Sequence, residues 1–164
     1  MFVHWTYYES PIGWICIAGN GSSVSSLIFQ DQAPAKVGLP APDYLNFAVE
    51  QIEEYFEQER KIFDSKLEII KGTDFQREVW SYLLGIPYGQ TVSYSRIAED
   101  LGDKKAVRAI GQAVGANPIS IIIPCHRVVG INGELTGFAW GVERKRRLLE
   151  LEKAVLYGKQ ESLF

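Results

Sequence analysis

The first thirty residues constrain the fold more tightly than any other stretch of this chain. "VHWTYYES", "WICIAG" and "VSSLIF" are dense in β-branched and aromatic side chains, which suit a pleated, half-buried surface. Ser10-Pro11-Ile12-Gly13 separates the first run from the second, and Asn20-Gly21 separates the second from the third. Three short strands joined by tight turns predict an antiparallel meander. Such a sheet needs a partner for its apolar face, and from Asp43 the positions Leu45, Ala48, Val49, Ile52 and Phe56 recur at helical spacing. Glu50, Glu53, Glu54 and Glu57 fall elsewhere on the wheel, so an amphipathic helix is predicted to cover the sheet. The intervening residues 31–42 carry three prolines and no period, which makes them a loop.

The pattern changes after residue 70. "KLEII" (66–70) reads as a further strand, and a domain boundary is placed near Gly72, dividing residues 1–72 from 73–164. Thr73 and Gln76 have capping-box spacing at the head of a helix whose inner face is Phe75, Val79, Tyr82 and Leu83. Gly85 and Pro87 end it. Ser93 is placed to cap the next helix, with Ile97, Ala98 and Leu101 inward, and Gly102 stops it. Asp103 is then read as the cap of a helix over 104–114, with Ile110 and Val114 inward and Lys104, Lys105 and Arg108 outward. Two short helices joined by a tight turn, the second one basic, form a helix-turn-helix pattern, which structural α-hairpins also share. "ISIII" (119–123) has the composition of a buried strand, and "VERKRRLLELEK" of a last helix with Val142, Leu148, Leu149 and Glu152 facing the protein.

Length and composition limit the classes that remain. The 164 residues are 46% hydrophobic and 12% aromatic, enough for a substantial core. No window approaches the roughly 18 uncharged apolar residues of a membrane span, and "MFVHWTYYES" has no signal-peptide layout. The expectation is a cytoplasmic protein whose two cysteines, Cys16 and Cys125, stay reduced. With only His4 and His126 to supplement those thiols, no metal is expected. The net charge of −3 hides an asymmetry: residues 1–72 carry −5 and residues 73–164 carry +2. Eight of the basic residues fall within 104–147, against only Glu134 and Glu143. A basic surface is therefore available on an acidic protein.

"IIIPCHRVVG" (121–130) is the stretch that carries chemistry. Pro124 fixes its own φ and would hold the Cys125 thiol in one place. A thiol in an apolar setting needs a base or a positive group before it can react. His126 adjoins it, but neighbours on a strand point to opposite faces, so His126 would act through a bridging water or only if the chain bends. Glu152 is a candidate to hold the other ring nitrogen. Read from the residues alone, a reactive pair and a merely buried pair stand level.

"NPISIIIPCHRVVG" resembles the active-site signature of the O6-alkylguanine-DNA alkyltransferases. "FQREVWSYLLGIPYGQTVSYSRIA", "AVRAIGQAVGANP" and "GELTGFAWGVERKRRLLELE" resemble further family segments in the same order, over about residues 73–152. The resemblance implies an α/β (α+β) chain: a ribonuclease-H-like N-terminal β-meander plus helix, acting as scaffold, and a winged-helix-like C-terminal domain containing the helix-turn-helix. It implies a monomer without a cofactor, acting on double-stranded DNA that contains O6-alkylguanine, or O4-alkylthymine, from the minor groove. Cys125 would accept the alkyl group irreversibly, His126 would take the thiol proton, and Glu152 would orient His126. Tyr94 would crowd the target phosphate and supply a proton to the base, and Asn117 would hinge the basic helix to the active-site segment. Arg108 would fill the space left by the rotated nucleotide, with Ala106, Val107, Lys104 and Lys105 near DNA. The carbonyls of Cys125 and Val128, together with Phe138 and Ala139, would hold the guanine; Phe138 replaces a family tyrosine. Arg127 reads as structural or phosphate-facing. Three other readings compete: a lesion-binding protein without transfer, a transcription regulator, and a thiol hydrolase that regenerates Cys125.

Overall fold

The computed structural model describes residues 2–37 and 40–156. The chain divides into two compact units, one of residues 1–71 with Pro118–Ser120, the other of residues 72–117 with 121–164.

The first unit is built on a three-stranded antiparallel sheet, β1 (His4–Ser10), β2 (Gly13–Gly19) and β3 (Val24–Gln30), in that spatial order. Thr6 pairs with Ile17 and Tyr8 with Ile15, and Ile15 and Ile17 pair in turn with Phe29 and Leu27. Alternation therefore gathers Ile15, Ile17, Leu27 and Phe29 on one face, where all four are buried. Helix α1 (Asp43–Phe56) packs on all three strands and buries Leu45, Ala48, Ile52 and Tyr55. The predicted amphipathic helix is thus present. Val49 is only half-buried, and Gln51, not foreseen as an inner residue, is buried because its Oε1 accepts the amides of Asp64 and Ser65. Register also separates His4 from Cys16. His4 shares the α1 face and contacts Tyr44, whereas Cys16 lies opposite Tyr7 on the other face.

The free edge of β3 explains two apparent strands. Val24 exchanges hydrogen bonds with Lys66 and Glu68, and Leu27 with Pro118 and Ser120. Each contact is a single bridge, at Leu67 and at Ile119, so neither 66–70 nor 119–123 forms the continuous strand expected of it. β-branched composition was read as pleated structure, whereas Ile121 adopts φ 70° and turns the chain.

The second unit is mainly helical. α2 (Asp74–Leu84) begins with the capping box foreseen in the sequence: Gln76 N–H donates to Thr73 Oγ1, and Thr73 N–H to Gln76 Oε1. Its Trp80 is fully buried and donates Nε1–H to Ala113 O at 2.8 Å. A four-residue strand, β4 (Gln90–Ser93), follows unforeseen and leads into α3 (Tyr94–Asp100), whose first turn is capped by Ser93 Oγ. The basic helix α4 runs Val107–Gly115, not 104–114. Asp103 accepts the Lys105 amide in a preceding turn, so Lys104 and Lys105 lie before the helix and Ala106 is its N-cap. After the Cys125–Arg127 3-10 turn come β5 (Val128–Val129), α5 (Val142–Leu151) and β6 (Val155–Leu156). β4 lies between β5 and β6 and pairs with both in parallel. In α5, Leu148, Leu149 and the C-cap Glu152 are buried as expected, but Val142 is 38% exposed and Lys145, 1% exposed, takes the inner place. None of the described helices is long and apolar enough to cross a membrane.

Trp80 ties α2 to the C-terminal turn of the basic helix. Trp80→Phe removes a buried donor while the Ala113 carbonyl keeps the Ala116 amide, at a cost of about 0.5–1.5 kcal/mol. Urea unfolding is expected to show this loss as a lower midpoint with an unchanged slope.

Candidate active site

Cys125 stands in a turn. Cys125 N–H donates to Ile123 O, Arg127 N–H to Pro124 O and Val128 N–H to Cys125 O, which winds residues 125–127 into one 3-10 turn. Pro124 lacks a donor and suits the head of that turn. Asn117 fixes the approach: its Nδ2 donates to Ile123 O at 2.7 Å, and its side chain is buried.

The bend places His126 in a fully buried pocket, where Nε2 lies 2.7 Å from Glu152 Oε1. Glu152, the C-cap of α5, also receives Arg127 Nε at 2.9 Å, Arg127 Nη2 at 3.0 Å and the Gly89 amide at 3.3 Å. Arg127 Nη1 continues to Ile86 O at 2.7 Å. Arg127 is therefore a buried structural cation and faces no phosphate. Burial alone would raise the Glu152 carboxyl, but His126 and Arg127 together hold it well below the usual carboxylate range. Burial also depresses His126, against the pull of Glu152. The pair is then a neutral imidazole donating Nε2–H to a carboxylate, which leaves Nδ1 unprotonated and able to accept. Among the described residues, that Nδ1 has no hydrogen-bond partner.

The thiol opens into a cleft of about 140 Å³ lined by Tyr94, Gly111, Val114, Gly115, Cys125, Gly137, Phe138 and Ala139. A wider groove of about 420 Å³, lined by Val107, Arg108, Gln112 and Thr136, shares Tyr94, Gly111 and Gly137 with it. The groove along α4 thus adjoins the cysteine cleft. Arg108 is exposed on that groove and Val107 half-buried, while Lys104 and Lys105 are exposed just before the helix. Lys104 lies 3.8 Å from Glu99. Val128 is buried in β5, where it pairs with Val92. Tyr94 is half-buried at the head of α3 and donates to Thr136 O at 3.2 Å; burial raises its phenol above the ordinary value, so it stays protonated at neutral pH.

Sequence reading passed over Lys145. Its Nζ donates to Thr136 O and Gly137 O, both at 3.2 Å, and to Tyr94 Oη at 3.4 Å. It lies over the Tyr94 ring, 5.7 Å from the centroid. The signal was present, because 145, 148, 149 and 152 share one helical face, but four consecutive cations (Arg144, Lys145, Arg146, Arg147) read as a solvated surface.

Comparison with known proteins places this geometry among relatives. Residues 74–154 match the family model described as 6-O-methylguanine DNA methyltransferase, DNA binding domain, and residues 3–69 match its ribonuclease-like domain. A methylated-DNA--protein-cysteine methyltransferase of Mycobacterium tuberculosis is 47% identical over 155 residues, covering 93% of each chain. One from Methanosarcina acetivorans is 43% identical, covering 92% of this chain and 98% of its own. The crystal structure of Mycobacterium tuberculosis OGT in complex with DNA superposes with a TM-score of 0.83 at 48% identity, covering 92% of this chain and 93% of that one.

The buried pair makes stability depend on pH. Both groups bind fewer protons folded than unfolded, so stability rises with pH. As pH falls below 6.5 the unfolded imidazole takes a proton that the buried one refuses, and below 4.5 the unfolded carboxyl does so while Glu152 remains ionised. Melting followed by circular dichroism is expected to show two successive losses on acidification. Glu152→Gln strands the buried Arg127 charge, and is expected to cost about 3–5 kcal/mol at neutral pH and to remove the lower step.

Proposed function

The chain belongs to the 6-O-methylguanine DNA methyltransferase family, and on that premise we propose that its reaction runs on Cys125. The protein is a methylated-DNA--protein-cysteine methyltransferase that performs direct-reversal DNA repair by transferring an alkyl group from DNA to a cysteine. Cys125 is the acceptor. Its sulfur attacks the alkyl carbon, the S–C bond forms as the C–O6 bond breaks, and guanine leaves with the electron pair. The thiol proton passes to His126 Nδ1, and the departing guanine takes up one proton, so charge is conserved. In this reading Tyr94, a neutral phenol lining the cleft, supplies it and regains a proton as His126 gives up the one taken from the thiol, so no charge remains on either. A thioether has no good leaving group, and each molecule acts once.

The observation that carries this reading is that the α4 groove and the cleft of Cys125 adjoin, with Tyr94, Gly111 and Gly137 lining both. A paired guanine presents O6 inside the stack, so the nucleotide must rotate out, at a cost of a few kcal/mol. Arg108, exposed on the groove, is placed to occupy the gap it leaves in the duplex, and Lys104 and Lys105 to meet phosphate. Gly111 and Gly115 keep the face of α4 low: a Cβ on Gly111 would lie 4.0 Å from Tyr94, and one on Gly115 would meet nothing within 4 Å. Approach through the minor groove requires little base readout and suits action at any sequence. The substrate is O6-alkylguanine, and O4-alkylthymine by the same chemistry, in double-stranded DNA bound by one copy of the chain. The 1–72 half serves as scaffold and 73–164 carries DNA binding and transfer.

Incubation with O6-methylguanine DNA is expected to raise the intact mass by one methylene, once per molecule, on the peptide holding Cys125. Cys125→Ala is expected to bind the lesion without transfer, and repeated turnover would overturn the assignment. Arg108→Ala is expected to weaken reaction with duplex DNA at least tenfold while free O6-methylguanine reacts at the original rate. Duplex affinity is expected to fall as salt rises, because phosphate contacts release counterions.

A further inference from the structure

Among the described residues, the buried Arg, Lys, His and Glu side chains are Arg127, Lys145, His126 and Glu152, and they cluster around this site. Their charges do not balance. His126 is neutral, and the Glu152 carboxylate is matched by the bidentate Arg127 guanidinium. Lys145 remains: its Nζ is surrounded by two carbonyls and a phenol, and no carboxylate pairs with it among the described residues. A buried ammonium without a counter-ion is costly. Lys145 stands beside Tyr94 and Gly137, and both of these line the cleft together with the Cys125 sulfur.

We propose that Lys145 is the charge partner of the Cys125 thiolate, so that the buried ammonium gains a counter-ion only when the sulfur is ionised. This deepens the reading of Cys125 as the nucleophile and rests on it. The division of labour follows from the geometry. His126 and Glu152 accept and hold the proton, while Lys145 keeps its own and offsets the negative charge left on sulfur. Tyr94, the other acidic group against Lys145, stays a neutral phenol because burial raises it. His126 feels Lys145 only as a further push toward the neutral form. Burial lowers Lys145 from 10.5 to about 8, and the Cys125 charge acts in the opposite sense, raising it. The coupling is reciprocal: a thiolate favours the ammonium, and an ammonium favours the thiolate. Transfer then removes the partner. Once sulfur carries an alkyl group, the anion is gone, and Lys145 is left uncompensated in a dry pocket.

The test reads the thiol and the amine separately from DNA repair. Carbamidomethylation of Cys125 by iodoacetamide, followed against pH by peptide mass spectrometry to exclude Cys16, reports thiolate directly. Lys145→Met is expected to move the midpoint up by about one pH unit, slowing reaction near neutrality about tenfold. Lys145→Arg is expected to return it toward the wild-type value. A folded Lys145→Met protein with an unmoved midpoint would overturn the proposal. Should that variant fail to fold, the wild-type chain supplies the answer through the 13Cε resonance of Lys145, titrated before and after S-methylation of Cys125 with iodomethane. The lysine midpoint is expected to fall after methylation, and an identical midpoint would equally overturn it. Loss of methyl transfer from DNA with this coupling intact would instead count against the repair reading of the cleft.

Discussion

The reactive half of this molecule hangs on one carboxylate. Glu152 closes helix α5 and gathers four N–H donors: one from His126, two from Arg127 and the amide of Gly89. Those donors come from the 3-10 turn and from the loop before β4, segments far apart in sequence. Arg127 extends the tie to Ile86 O. A carboxylate so buried would be prohibitive without these partners, and each partner would be costly without the carboxylate. The result is a mutual requirement that sets the angle at which Cys125 enters its cleft and the tautomer of the histidine beside it. β5, which leaves the turn, then pairs with β4, and β4 with β6, so the turn is held from both ends.

Rigidity here serves electrostatics. On the proposed reading the Cys125 sulfur needs its charge supported, and fixed dipoles and buried ions do that with no reorganisation at the moment of reaction. On the outside the requirements are opposite. The surface of α4 carries a small-residue strip, with Arg108 lining the groove beside it, and the proposed reading has duplex DNA approach closely there. The formal net charge of −3 says little about either task, since the acidic excess belongs to residues 1–72.

What could be read from the chain beforehand was local. The meander, α1, the Thr73–Gln76 box and the Ser93 cap depend on residues within a few positions of one another. Glu152 does meet His126, as expected, but several other readings that needed a distant partner went wrong. The isoleucines of 119–123 have strand composition, yet only Ile119 finds an edge to bridge, and Ile121 takes a left-handed φ of 70°. β4 escaped notice because four residues, "QTVS", make too short a run to show a period. Asp103 looks like a helix cap by type but spends its side chain on the Lys105 turn. Val142 and Lys145 exchanged the places that hydropathy assigned them, because Lys145 finds three oxygen acceptors inside and Val142 sits in the first turn of its helix.

The amino-acid sequence by itself determined the meander, α1 and the capped helix starts and, through the family segments in order, the family. These rest on short-range preferences and on residue identity, which any reader of the chain can see. Only the tertiary structure decided that Cys125 lies on a turn, that Arg127 faces inward to Glu152, and that a lysine within a run of four cations is buried against the cleft. Charge is a property of the residue, whereas its cost depends on which dipoles and ions the folded chain sets around it.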